Sequence, residues 1–101
     1  MSTRRTYYHA TPMENLTQIC REGIKPSFDG VVYMTEKEVD AVKFLAIRGI
    51  KNIVTFKVKI GKPENVIETF DHSEAFFGCR CFGYTGEVPA SWITPSKKYE
   101  L

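Results

Sequence analysis

Twice in the first fifty residues, a run of β-forming residues leads into Thr-x-x-Glu and then into apolar residues at helical spacing. This ordering excludes an all-helical or all-strand chain. In the first unit Thr6-Tyr7-Tyr8-His9-Ala10 reads as a strand. Thr11-Pro12-Met13-Glu14 then reads as a capping box, with Thr11 at N-cap, Pro12 at the first helical position and Glu14 closing the box. Leu16, Ile19 and Cys20 continue at helical spacing, and Gly23 suits the left-handed position after the last turn. The expectation is a strand and then a helix starting at Pro12, the unit running from about Thr6 to Glu22. In the second unit the turn residues Asp29-Gly30 precede the strand Val31–Met34. Thr35-Glu36-Lys37-Glu38 reads as another capping box, opening a helix with Val39, Val42, Leu45 and Ala46 on one face and Gly49 ending it.

From Asn52 to Ile60 the period drops to two. Val54, Phe56, Val58 and Ile60 alternate with Thr55, Lys57 and Lys59, the pattern of a strand with one buried face. Gly61-Lys62-Pro63 turns the chain, Val66-Ile67 reads as a short strand, and Asp71–Ser73 as a polar loop. Ala75 to Ile93, aromatic and punctuated by glycine, suits two or three short strands. Helices fall early and strands late, which predicts one α+β domain over residues 1–101.

The remaining chemistry narrows the function classes. At 43% hydrophobic and 13% aromatic residues, the composition is that of a packed domain. No apolar run approaches the roughly 20 residues that span a bilayer, and the N-terminus lacks the apolar core of a secretory signal. The odd set Cys20, Cys79 and Cys81 predicts free thiols in a reducing, cytoplasmic setting. Cys79-Arg80-Cys81 has no second ligand pair at zinc spacing, so no metal is expected. Asp71-His72 with Glu74 reads as a solvated cluster. Phe76-Phe77, Phe82 and Tyr84 read as core rather than a base-stacking platform. A net charge of +2, clustered only at Arg4-Arg5 and Lys97-Lys98, does not define a nucleic-acid surface.

Four segments, in order, resemble the ADP-ribosyltransferase family. They are Tyr8-His9-Ala10-Thr11 with a helix ending in Glu22-Gly23-Ile24; Val32-Tyr33-Met34-Thr35 with a helix carrying Ala41 and Phe44; the alternating strand Asn52–Ile60; and Gly86-Glu87-Val88-Pro89 with Trp92-Ile93. The resemblance spans Tyr7 to Ile93. It implies a split β-sandwich with helices after the first two strands and an NAD cleft between two small sheets. It also implies a His-Tyr-Glu triad carried by His9, Tyr33 and Glu87. In that scheme His9 holds ribose hydroxyls, the Ala10 backbone fixes the carboxamide, Thr11 adds a hydroxyl contact and Tyr33 stacks on nicotinamide. Glu87 stabilises the oxocarbenium-like charge that forms as the glycosidic bond breaks.

Thr85 stands two residues before Glu87, where arginine-modifying members carry Glu or Gln, and no Ser-Thr-Ser motif is present. The resemblance is therefore to the diphtheria-toxin-like branch. It implies NAD as substrate, no metal, and an unidentified macromolecular acceptor, protein or nucleic acid. Taken singly, each residue also has a plain structural reading: His9 a satisfied histidine, Thr11 a cap, Tyr33 a core aromatic, Glu87 a turn residue. The alternative function is an inert module of the same fold that binds a nucleotide or a protein partner, in the manner of a phage-type inhibitor.

Overall fold

A computed structural model describes residues 6–26, 30–69 and 81–101. The Asp71–Ser73 loop, Glu74, Phe76-Phe77, Cys79, Arg4-Arg5 and Asp29 lie outside these residues. The elements run β1 (Thr6–Pro12), α1 (Leu16–Glu22), β2 (Val31–Thr35), α2 (Glu38–Ala46), β3 (Asn52–Lys59), β4 (Val66–Thr69), β5 (Cys81–Thr85) and β6 (Ile93–Glu100). All six strands form one antiparallel sheet in the order β4-β5-β2-β1-β3-β6. The fold is thus α+β, with a helix after each of the first two strands.

The sheet has a seam. β1 pairs with β3 along its whole length, from Thr6↔Lys59 to Pro12↔Ile53, but meets β2 at one register position, Tyr8↔Thr35. A three-stranded half, β4-β5-β2, thus joins another, β1-β3-β6, through a single rung. What holds the halves together is packing. Tyr7, Val54, Phe56 and Val58 from one half share a cluster with Val32, Met34, Phe82 and Tyr84 from the other. The rings of Tyr7 and Phe82 meet across the seam at 5.1 Å between centroids, tilted by 51°. Ile19 of α1, Ile24 and Val88 complete that core. On the opposite face, Val42 and Leu45 of α2 bury Ile53.

Neither capping box forms. Thr11 stays in β1, buried and paired with Val54, and its hydroxyl accepts from Asn15 Nδ2 at 3.1 Å. A 3-10 turn, Met13–Asn15, intervenes before α1, and its start has no side-chain cap. Thr35 likewise ends β2, donating to the Lys37 carbonyl at 2.7 Å. Strand pairing and burial claim both threonines before a helix can. The buried face of α2 is Ala41, Val42 and Leu45, while Val39 is 53% exposed and Ala46 is exposed. Ile53 and Thr55 are buried along with the alternating Val54, Phe56 and Val58, Ile53 beneath Val42 and Leu45 of α2, while Lys57 and Lys59 stay exposed. The first half of β3 is thus covered on both faces, whereas from Phe56 to Lys59 the expected one-faced alternation holds.

β6 carries a bulge opposite Thr55, where the register shifts between Val54 and Phe56. The fully buried Thr55 hydroxyl donates to the Lys97 carbonyl at 3.2 Å and lies 3.1 Å from the Lys97 N–H, which donates to it. One hydroxyl thus satisfies two backbone groups that the bulge removes from the ladder.

Glu38, the first residue of α2, anchors that helix to β6. It accepts from the Ser96 hydroxyl at 2.5 Å and from the Tyr99 hydroxyl. Burial acts to raise the Glu38 pKa, but the bonds from Ser96 and Tyr99, the Lys97 charge and the Thr55 hydroxyl outweigh it and leave the carboxylate lowered. The bond to Glu38, then burial and the repulsion of its charge, push the Tyr99 phenol up to about 12. A lowered carboxylate contributes stability above its unfolded pKa and loses it as pH falls through the folded value. A raised phenol contributes below its ordinary 10 and loses that as pH rises toward about 12. We expect one tyrosine of the folded protein to titrate near 12 by ultraviolet difference absorbance. Glu38→Gln should return it toward the ordinary range; an unchanged titration would break the assignment.

Candidate functional site

The seam places His9. Beyond Tyr8↔Thr35 the β1–β2 ladder carries no further pair, and the His9 Nδ1–H donates to the Tyr33 carbonyl at 2.8 Å. A carbonyl only accepts, so Nδ1 carries the proton and neutral His9 presents Nε2 as an acceptor. Burial lowers the His9 pKa, and the bond to Tyr33 opposes this only in part. The imidazole is therefore a fixed neutral acceptor at neutral pH rather than a cation.

His9 and Thr11, two residues apart on one face of β1, open into a cleft of about 230 Å³ beneath α1. Asn15, Gln18 and Lys25 bring amide and amine groups to it, and Gly23 and Ile24 form its far wall. Such groups suit a hydroxyl-rich ligand: an imidazole nitrogen to accept, amide N–H groups to donate, and an amine for an anion. Asn15, Gln18 and Lys25 were missed in the sequence.

The far wall is tied to the region of Glu87. Ile24 N–H donates to the Val88 carbonyl at 2.8 Å, and Val88 N–H donates to the Ile24 carbonyl at 2.9 Å. Gly86 N–H donates to the Gly30 carbonyl at 3.0 Å, just before β2. Val88 is fully buried and Glu87 exposed, as alternation requires. The structure brings His9, Thr11 and the Tyr33 backbone together. It does not place the Tyr33 ring or the Glu87 carboxylate among the groups lining this cleft. Tyr33 pairs with Gly83, and at most about 13 Å of strand separates Gly83 from Glu87. Ala10, expected to act through its backbone, packs its side chain against the α2 cluster.

Among the described residues no cluster of three or more His, Cys, Asp or Glu could hold a metal, and no helix is long and apolar enough to cross a membrane. Cys20 is free and exposed. Comparison with protein-family models and with curated proteins finds no match for this chain.

Proposed function

We propose that the chain is a minimal NAD-dependent ADP-ribosyltransferase that breaks the nicotinamide–ribose bond and transfers ADP-ribose to a macromolecular acceptor. The observation that carries this reading is His9, locked by the Tyr33 carbonyl at the point where β1 and β2 part, which leaves Nε2 as the atom to accept a ribose hydroxyl. A sheet split at one rung, with a helix after each of its first two strands, suits the split sandwich that the ordered motifs imply. As the C–N bond breaks, nicotinamide leaves with the bonding electrons and positive charge grows on the ribose. The Glu87 carboxylate stabilises that charge. An acceptor nucleophile then bonds to the same carbon and gives up its proton. The exposed Cys20 thiol fits a reducing, cytoplasmic setting.

One observation favours the second reading, an inert module of this fold that binds a nucleotide or a protein partner. The cleft, at about 230 Å³, is smaller than the roughly 300–1,000 Å³ usual for such ligands. A thermal-shift titration separates the readings, because a ligand that binds only the folded state must raise its stability. NAD at about 100 times its dissociation constant should add about 2.7 kcal/mol, with nicotinamide released when acceptors are supplied. A shift without release selects the inert module. No shift with either NAD or ADP-ribose would overturn the enzyme and the nucleotide-binding module, and leave only the module that binds a protein partner.

A further inference from the structure

The flank of α1 turned away from His9 borders a second cavity, an open groove of about 450 Å³ between α1 and β6. Its floor is aliphatic, with Leu16 from α1, Val54 from β3 and Pro95 from β6. Its rim carries Arg21, Lys97 and Lys98, and no acidic residue lines it among the described residues. Lys97 is partly engaged by the Glu38 charge. Arg21 and Lys98, both exposed, have no ion-pair partner among the described residues, whereas the neighbouring Glu22 and Lys25 pair with each other at 3.2 Å. An apolar floor under unpaired cations is complementary to a ligand that is itself apolar beneath negative charge. Among the described residues no aromatic ring lines the groove, so they offer a nucleobase no stacking surface. Its openness suits a segment lying along a surface rather than an enclosed small molecule.

We propose that this groove docks an acidic peptide segment of a protein partner, with an aliphatic side chain seated on Leu16 and Pro95 and its carboxylates facing Arg21 and Lys98. This site is separate from the His9 cleft and does not depend on the NAD reading. The probe is a fluorescein-labelled Asp-Glu-Leu-Leu-Asp-Glu peptide, followed by anisotropy. Site-resolved mass mapping follows N-ethylmaleimide labelling of Cys20, which lines the same groove. The peptide should bind, should slow Cys20 labelling, and should bind more weakly as salt rises. Arg21→Glu with Lys98→Glu should weaken it about tenfold without changing the melting temperature, since both side chains are exposed. Equal binding by a peptide with serine for leucine would overturn the apolar seat. Unchanged affinity in the charge-reversed variant would overturn the cationic rim. Protection of Cys20 by oligothymidylate as strong as that by the peptide would replace the peptide with nucleic acid.

Discussion

Glu87→Gln is expected to lower nicotinamide release at least ~100-fold while leaving NAD affinity within about twofold, the pattern of a group that acts only in the transition state. Glutamine keeps the shape and a hydrogen-bonding oxygen but loses the negative charge. The ribose carbon becomes cationic only as the C–N bond lengthens, so the lost interaction is one the ground state scarcely makes. Glu87 is exposed, while its neighbour Val88 is fully buried and bonded at both backbone groups to Ile24. The backbone that carries Glu87 is thus held in place by its neighbour, and the substitution leaves the core untouched. Release rates and NAD affinity, measured together on wild type and variant, check this. Equal release would remove Glu87 from the chemistry, and a large loss of affinity would make it a binding group instead.

The second large effect is on stability. Gly23→Ala is expected to cost about 3 kcal/mol or more, read as a fall in denaturant midpoint with unchanged slope. Gly23 has φ +86°, and a Cβ there would lie 2.2 Å from the Val88 carbonyl oxygen and 2.9 Å from the Ala90 nitrogen. Both are backbone atoms, so no side chain can swing aside. With ψ −175°, Gly23 adopts a conformation essentially confined to glycine, costing another residue roughly 1–3 kcal/mol, and displacing Val88 strains the paired hydrogen bonds to Ile24 at about 1 kcal/mol each. Gly30, with φ +79° and open space around it, provides the control. Alanine there should show the conformational cost alone. Equal losses at the two positions would show that the close approach at Gly23 contributes nothing.

The sequence made the order of elements plain because strand runs and helical spacing are local signals. Thr6–Pro12, Val31–Thr35, Asn52–Lys59 and the glycines after each helix fall close to where that reading puts them. The capping boxes misled because Thr11 and Thr35 satisfy a local motif and a strand pairing at once, and only the fold decides between them. The length of β6 was not visible at all. Ile-Thr-Pro-Ser-Lys-Lys-Tyr-Glu is polar because an outermost strand keeps one edge in water, where proline and lysine discourage further pairing. For the site, Tyr8-His9-Ala10-Thr11 pointed at His9 and Val32-Tyr33-Met34-Thr35 at Tyr33, and a 2.8 Å bond joins the His9 ring to the backbone carbonyl of Tyr33 rather than to its ring. The seam that makes the bond possible is a property of sheet register, which no local pattern encodes. The cleft wall depends on the Ile24–Val88 bridge, whose halves lie far apart in sequence.

The position of β3 also sets the order in which this chain can become safe from aggregation. Ile53-Val54-Thr55-Phe56 is a compact, uncharged, strongly β-forming run, the kind of segment that pairs readily with other copies of itself. β1 is made before β3 and can cover one edge as soon as β3 emerges. The other edge waits for residues 93–100, which close the ladder from Asn52↔Glu100 to Val58↔Ile93. A growing or partly folded chain therefore passes through an interval in which its most adhesive strand has one edge open, and closing it depends on a contact some forty residues away in sequence. Contacts that distant form slowly. Glu38, bonded to both Ser96 and Tyr99, then acts as the latch that keeps the late strand in place once it arrives.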